Sequence, residues 1–219
     1  LLIQVKLYDK AIAESKALIR DFPYKEENYL VLAELYAATG KDSLARVCYD
    51  EALALNPTSA NVLGAMNDYY KKKGDDINFM ATARQLFNLD DVPAETKIAF
   101  FEELTRDIPF YRDHYFQMND LASTLLIKYP KDYRVLKLYA NHLIASGSTE
   151  EALKLYKTFV ADSVSLDAYN NILDIEAYLQ RPDSVSKYAT EALAHFPRNA
   201  ELHIRHGSIL AFLKREREA

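Results

Sequence analysis

The chain has 219 residues but no tryptophan, one cysteine, five glycines and no long apolar run. The single cysteine, Cys48, cannot form an intramolecular disulfide, and its position between Val47 and Tyr49 on a predicted helix indicates a buried, unreactive thiol. No stretch approaches the roughly 20 consecutive apolar residues of a transmembrane helix, so we predict no membrane insertion of this segment. Scarce glycine and abundant helix-forming residues together predict an all-α protein.

The charge of the chain is modestly acidic. A net charge of −5 and a pI of about 5.6 disfavour nucleic acid or an anionic membrane surface as a partner. The only lysine run, Lys71-Lys72-Lys73, lies at the end of a predicted helix, where cations interact favourably with the helix dipole. We therefore predict no nucleic-acid partner.

Signatures of catalysis are also missing from the sequence. It contains no glycine-rich phosphate loop, no HExxH motif and no paired cysteines. His203 and His206 are three residues apart and could share one helix face for a metal, but packing against a neighbouring helix is the simpler interpretation. We predict that the chain is not an enzyme and carries neither metal nor cofactor.

What the sequence does contain is a repeated helical hairpin, clearest in residues 26–57. Apolar residues recur at helical spacing up to Thr39, and Gly40 follows where a left-handed residue would end the helix. A second helix begins near Asp42 and ends before Pro57. Such a pair leaves apolar surface uncovered on both sides, which predicts a stacked array of hairpins.

This stretch resembles the tetratricopeptide repeat, a helix-turn-helix unit of about 34 residues. With Glu26 as the first position, eight signature positions agree: Tyr29, Leu32, Ala33, Tyr36, Ala45, Tyr49, Ala52 and Pro57. The resemblance implies a right-handed superhelical α-solenoid of stacked antiparallel helix pairs, whose concave face is lined by the first helix of each hairpin. The implied function is binding of a protein or peptide in that groove.

The repeat pattern predicts one solenoid over residues 1–219, with about six hairpins or part-hairpins and roughly 13 helices. The predicted boundaries are 1–23 (partial), 26–57, 59–92, 94–130, 132–164, 166–197 and 199–219 (partial). Because the chain starts at Leu1 with what looks like the end of a helix, we expect it to be part of a longer protein. Its localisation is left open, since an upstream signal or anchor would be invisible here.

Several local details are predicted from the same pattern. In the helix that ends at Asp21, Ile12 and Leu18 should point inward, and Ser148-x-x-Glu151 reads as a capping box. Asn67 and Phe101 stand where the family keeps a small residue.

The hairpin over 94–130 is the least regular. Its first helix should span 94–106, a turn should lie at Ile108-Pro109, and one long helix should follow over 111–128. The aromatic cluster around Phe100, Phe110 and Phe116 could stack a ligand, although its helical spacing favours core packing.

The resemblance also assigns residues to the groove. The candidates are Leu30, Glu34, Asp68, Arg134, Lys137, Asn141, Asn170, Asn171, Asp174, Tyr178 and Arg205. Members that grip a chaperone's C-terminal carboxylate use lysine, asparagine and arginine at fixed positions, and four of these match Lys137, Asn141, Asn171 and Arg205. Glu201 stands where that pattern needs a second lysine, and its charge would repel a carboxylate.

The main hypothesis is therefore a non-catalytic scaffold that binds a peptide or protein segment of unknown identity. Two alternatives remain open. The chain could be a regulatory or substrate-recruiting arm of a larger enzyme or sensor, or it could be a self-associating structural scaffold.

Overall fold

The computed structural model describes the backbone of residues 2–218 and the side chains of residues 7–212. Thirteen α-helices and no strand occupy this part of the chain, which confirms the all-α prediction. The helices are α1 (Leu2–Asp21), α2 (Glu26–Ala38), α3 (Asp42–Leu55), α4 (Ala60–Lys73), α5 (Asp76–Asn88), α6 (Ala94–Arg106), α7 (Ile108–Asp113), α8 (Tyr115–Lys128), α9 (Tyr133–Ala145), α10 (Thr149–Asp162), α11 (Leu166–Tyr178), α12 (Pro182–His195) and α13 (Ala200–Glu218).

The chain divides into two compact units, residues 1–121 and 122–219, which are called the N-terminal and C-terminal units below. The N-terminal unit contains the hairpins α2–α3 and α4–α5, and the C-terminal unit contains α9–α10 and α11–α12. Within the units, α2 packs beside α4 and α11 packs beside α13, so first helices of successive hairpins are neighbours. Stacked antiparallel pairs are thus present in both units, whereas a single solenoid over 1–219 stays a prediction.

One turn geometry closes four of the hairpins. Gly40, Gly74 and Gly147 have φ angles of 72°, 67° and 84°, a left-handed conformation that glycine adopts without strain. The residue after each glycine donates its backbone N–H to the carbonyl five positions earlier, for example Lys41 N to Tyr36 O at 2.9 Å. The turn predicted at Gly40 is confirmed, and the same turn occurs at Gly74 and Gly147.

The fourth closure uses Gln180, which the sequence pattern did not identify. Gln180 has a φ of 56°, and Arg181 N donates to Glu176 O at 2.9 Å in the same way as at the glycine turns. Left-handed φ is uncommon for a residue with a β-carbon. The hydrogen bonds of the turn therefore impose this conformation without the help of glycine.

Close approach of the paired helices depends on small buried residues. Ala33 on α2 and Ala45 and Ala52 on α3 are fully buried, as are Ala140 on α9 and Ala152 on α10. Larger residues such as Tyr36 and Tyr49 fill the spaces beside them. This packing places the core between the two helices of a hairpin and between neighbouring hairpins.

Asn67 replaces the usual small residue in the α4–α5 hairpin and is buried with 3% exposure. Its amide donates to Phe79 O at 2.7 Å and to Thr82 Oγ1 at 2.9 Å, both on the partner helix. The two hydrogen bonds satisfy a polar group that would otherwise be costly to bury. They join the helices where the other hairpins use alanine contacts.

Ion pairs between residues 31 positions apart connect neighbouring hairpins. Lys73 Nζ lies 2.7 Å from Asp42 Oδ1, and Arg181 pairs with Glu150 in the C-terminal unit. Arg205 on α13 pairs with Asp174 on α11 in the same register. The spacing is slightly less than one repeat, so each pair joins one hairpin to the next.

The irregular region after α6 differs from the prediction of a turn at Ile108-Pro109 and one long helix. Asp107 caps a short helix α7 through a hydrogen bond from Phe110 N at 3.1 Å, and Pro109 lies in its first turn. Proline favours this position because its missing N–H is not needed there. A break at His114, whose Nδ1 lies 3.0 Å from Phe110 O, then separates α7 from α8.

Two further local predictions were wrong. Ser148 precedes α10, but its side chain caps no backbone N–H; the Glu151 N–H instead meets the Ser148 carbonyl at 3.1 Å, so the capping box does not form. Leu18 is 48% exposed and Ser15 is buried on α1 in its place, whereas the inward position predicted for Ile12 is confirmed.

The aromatic cluster packs mostly against itself. The rings of Phe100 and Phe110 lie 5.8 and 5.9 Å from the buried ring of Phe79, and Phe101 is buried. Phe116 is the exception, because 84% of it is exposed. Core packing therefore accounts for these members of the cluster apart from Phe116.

Replacing Asn67 with alanine should lower the free energy of unfolding by about 1–3 kcal/mol, because two buried hydrogen bonds between α4 and α5 are lost. Urea unfolding followed by circular dichroism measures the change. Asn61→Ala, an exposed asparagine on the same helix, is the matched control and should change stability by less than about 0.5 kcal/mol. Equal effects of the two substitutions would contradict the bridging role of Asn67.

Acid should destabilise the chain partly through His142. Burial lowers the pKa of His142 to about 4, whereas the unfolded side chain titrates near 6.5. Its contribution to stability is therefore complete above pH 6.5 and is lost as the pH falls toward 4. Urea unfolding at pH 7.5 and pH 4.5 should show a larger loss for the native chain than for His142→Leu. An exposed-site control, His195→Leu, should behave like the native chain, and identical pH dependence in all three would refute the assignment.

Candidate functional site

The candidate groove residues lie on the first helices of the hairpins, and their exposed side is called the first-helix face. In the N-terminal unit this face belongs to α2 and α4, and in the C-terminal unit to α9, α11 and α13. Helical spacing aligns the candidates: Arg134, Lys137 and Asn141 occur at intervals of three and four residues, and all three are exposed.

A groove of about 420 Å³ lies between α2 and α4 in the N-terminal unit. Its lining combines acidic, small, tyrosine and lysine side chains: Glu34, Ala37, Ala38, Tyr49, Ala65, Asp68, Tyr69, Lys72 and Lys73. Two of the candidates, Glu34 and Asp68, therefore line one groove. Leu30, the third candidate of this unit, is half-buried and lies outside its lining.

Some of the polar groups in this groove already have partners. Lys73 forms an ion pair with Asp42, and the Tyr69 hydroxyl donates to Asp42 Oδ1 at 3.3 Å. Glu34 and Asp68, by contrast, make no side-chain hydrogen bond or ion pair among the described residues. Two uncompensated carboxylates thus face the groove.

Tyr49 forms a buried part of the same groove and is only 2% exposed. Burial raises its pKa to about 12, and the charges of Glu34 and Asp68 add to this effect. Among the described residues its hydroxyl has no hydrogen-bond partner. The sequence identified Tyr49 only as a signature position of the repeat, and no signal in the repeat pattern marked its hydroxyl as part of a site.

In the C-terminal unit, the α9 candidates differ in their engagement. Arg134 binds the side chain of Asp132, the residue that caps α9, with Nε 3.1 Å from Oδ1. Lys137 and Asn141 are exposed, and within the described chain their side chains make no hydrogen bond or ion pair. Lys137 and Asn141 are therefore available to a partner, whereas the Arg134 side chain is bound to the capping residue of its own helix.

The candidates on α11 and α13 are mostly engaged with one another. Asn171 Nδ2 lies 2.9 Å from the Tyr133 hydroxyl on α9, and Arg205 pairs with Asp174 and approaches Asn170 O at 3.5 Å. Tyr178 is 77% exposed. The first-helix face of this unit thus combines internal polar bridges with an exposed phenol.

These contacts bear on the carboxylate-gripping pattern. Of its four matching residues, Asn171 and Arg205 already bind side chains of this chain. A ligand carboxylate would have to displace Asp174 from Arg205 in addition to tolerating Glu201. The arrangement gives no support to a carboxylate clamp.

A second cavity, of about 550 Å³, lies within the C-terminal unit between α9, α10 and the end of α8. Leu126, Leu143, Leu155 and Phe159 contribute apolar walls, and Lys154 lies on its lining. The sequence did not predict this cavity, because it arises from the spacing of helices from different hairpins.

The remaining sequence candidates lie elsewhere. His203 is exposed with Nε2 3.2 Å from Pro197 O, and the described residues contain no cluster of three or more metal-ligating side chains. Lys71 and Lys73 at the end of α4 pair with Glu103 and Asp42. In the described part of the chain, no helix has both the length and the apolar character needed to cross a bilayer.

Comparison with protein-family models gave no match, and comparison with curated proteins gave none either. Solved structures similar to this chain include PilF of Pseudomonas aeruginosa, with 15% identity, coverage of 95% of this chain and 91% of that chain, and a TM-score of 0.43. YrrB, described as a TPR protein with an unusual peptide-binding site, has 15% identity, coverage of 89% and 97%, and a TM-score of 0.46. TTC0263, a thermophilic TPR protein of Thermus thermophilus, has 18% identity, coverage of 85% and 99%, and a TM-score of 0.44.

The chain is thus similar to tetratricopeptide proteins over most of its length. Its own tetratricopeptide-like architecture rests on the hairpins described above, with their left-handed closures, small buried residues and stacking of first helices.

Proposed function

We propose that this chain is a non-catalytic scaffold that binds a peptide or protein segment on its first-helix face. The observation that carries the proposal is the groove between α2 and α4. Its volume falls within the range of about 300–1,000 Å³ that is typical of ligand sites. The alanines in its lining allow a peptide backbone to approach the helices closely.

The polar groups around the groove favour a polypeptide ligand. Glu34 and Asp68 offer charged acceptors, and Lys72 at the end of α4 offers a donor. A peptide supplies complementary donors and acceptors at regular spacing, which a first-helix face with repeated slots can match.

The C-terminal unit supplies a separate set of available groups. Lys137 and Asn141 project from α9, and Tyr178 exposes most of its ring on α11. Exposed tyrosine is enriched in protein interfaces because it combines a large apolar area with a polar tip. These residues form a separate candidate binding surface in the C-terminal unit.

The two alternatives, an arm of a larger enzyme or sensor and a self-associating scaffold, stay predictions from the sequence. The absence of enzyme activity also stays a prediction. Groove binding is preferred because the groove contains charged groups that the chain itself does not neutralise.

Filling the groove should abolish peptide binding. Peptides selected from a displayed random library on the native chain should bind Ala65→Phe at least about tenfold more weakly, because the new ring occupies the groove between α2 and α4. Isothermal titration calorimetry measures the affinities. Ala54→Phe, on the exposed side of α3, is the control and should bind as the native chain does. Failure to select any peptide, or equal binding by all three proteins, would overturn the proposed function for this groove.

The α9 residues provide an independent test. Replacing Lys137 and Asn141 together with alanine should weaken a ligand that spans the C-terminal unit by about tenfold without changing the melting temperature, because two exposed donors are lost. The matched control is Lys187→Ala/Thr190→Ala, which removes two exposed polar residues from the second helix α12. Unchanged affinity in the Lys137/Asn141 variant would remove these two residues from the site.

A further inference from the structure

The two pairs of neighbouring first helices allow a direct comparison within one chain. Gly40 and Gln180, which close the corresponding turns, are 140 residues apart. The same interval separates Glu34 from Asp174 and Ala65 from Arg205. Glu34 and Ala65 in the N-terminal unit therefore occupy the slots that Asp174 and Arg205 occupy in the C-terminal unit.

The contents of these slots differ in one decisive respect. In the C-terminal unit, the guanidinium of Arg205 on α13 pairs with the carboxylate of Asp174 on α11. In the N-terminal unit, the acid is retained as Glu34, but the arginine is replaced by Ala65. The groove therefore lies where an arginine side chain would otherwise pass, and the carboxylate that it would neutralise is left without a partner.

A second carboxylate and a phenol reinforce this site. Asp68 lies one period after Glu34 and lines the same groove, and Tyr49, only 2% exposed, lines it as well. Among the described residues neither Asp68 nor Tyr49 has a hydrogen-bond partner, and Asp68 forms no ion pair with Lys72 four residues later. Because the Tyr49 hydroxyl makes no hydrogen bond within the described residues, its oxygen is available to accept one from a ligand in the groove.

We infer that Glu34, Asp68 and Tyr49 form a subsite for an arginine side chain of the partner polypeptide, in the place that Arg205 occupies in the C-terminal unit. This inference rests on the proposed function, since it specifies which side chain the α2–α4 groove takes. Arginine suits the site because its planar guanidinium carries five donors on several edges, which can serve two carboxylates and a phenol oxygen together. The alanines of the groove leave room for its aliphatic stem.

The experiment uses a small probe, N-acetyl-arginine-N-methylamide, and its citrulline counterpart, which has nearly the same shape but no charge. Both are titrated into the full chain while the ring resonance of Tyr49, identified as the signal lost in Tyr49→Phe, is followed by NMR. The arginine probe should shift this resonance and bind at least about tenfold more tightly than the citrulline probe, as expected for charge-assisted hydrogen bonds. Equal affinities, or an unshifted Tyr49 resonance, would overturn the inference.

Three variants test separately the charges of the two carboxylates, the hydroxyl of Tyr49 and the free space beside Ala65. Glu34→Gln/Asp68→Asn should abolish the preference for arginine over citrulline, and Tyr49→Phe should weaken the arginine probe about threefold. Ala65→Arg should eliminate probe binding, because the new side chain pairs with Glu34 as Arg205 pairs with Asp174. Asp50→Asn/Glu51→Gln, on exposed positions of α3, is the charge-matched control and should retain the preference. An unchanged preference in Glu34→Gln/Asp68→Asn would refute the subsite.

The outcomes also separate this inference from the proposed function. Groove binding would be retained and the arginine subsite rejected by two results together. Library peptides would bind the native chain but not Ala65→Phe, and the arginine and citrulline probes would bind with equal affinity. If the arginine probe binds more tightly than the citrulline probe but the library yields no binding peptide, the subsite chemistry would be retained and the wider peptide-binding function rejected.

Discussion

The left-handed turn that ends the first helix of four hairpins is the constraint on which those hairpins depend. It reverses the chain within two or three residues, and its backbone hydrogen bonds use carbonyls that the helix end would otherwise leave unsatisfied. A reversal this short forces the second helix against the first along its whole length, so the contact must be made by small residues or by a bonded pair such as Asn67 and Phe79. Because each hairpin buries only part of its apolar surface, the next first helix has to pack beside it, and the α2–α4 groove arises from that packing.

The sequence predicted this architecture where the chemistry of a turn is local. Gly40, Gly74 and Gly147 are recognisable because glycine alone adopts positive φ without cost, and the helix bounds around them were close to those observed. Gln180 gives no such signal, although the same hydrogen bonds form there. The break at His114 was also missed, because proline at 109 can read either as a turn residue or as the first turn of a helix. These errors arise where the same residue type suits two local conformations.

For the candidate site, periodicity predicted which residues would face outward but not what they would bind. Glu34 and Asp68 are one period apart, so their place on one face followed from the repeat. The engagement of Arg205 by Asp174 depends on two residues in different hairpins, and the pattern assigned both to the groove without pairing them. Tyr49 was identified only as a signature position of the repeat; that its side chain also lines the groove depends on the small size of Ala65 and Ala37. The repeat pattern of one sequence therefore does not determine which side chains of different hairpins bind one another.

Charge pairing between hairpins neutralises several acidic residues within the chain. At an interval of 31 residues, Lys73 neutralises Asp42, Arg181 neutralises Glu150 and Arg205 neutralises Asp174. For Glu34 the residue 31 positions later is Ala65, which lines the groove. Alanine at this position has two effects at once, since it provides no internal cation for Glu34 and opens the space that such a cation would fill. An interaction that elsewhere joins neighbouring hairpins is thereby left available to a cation from outside the chain.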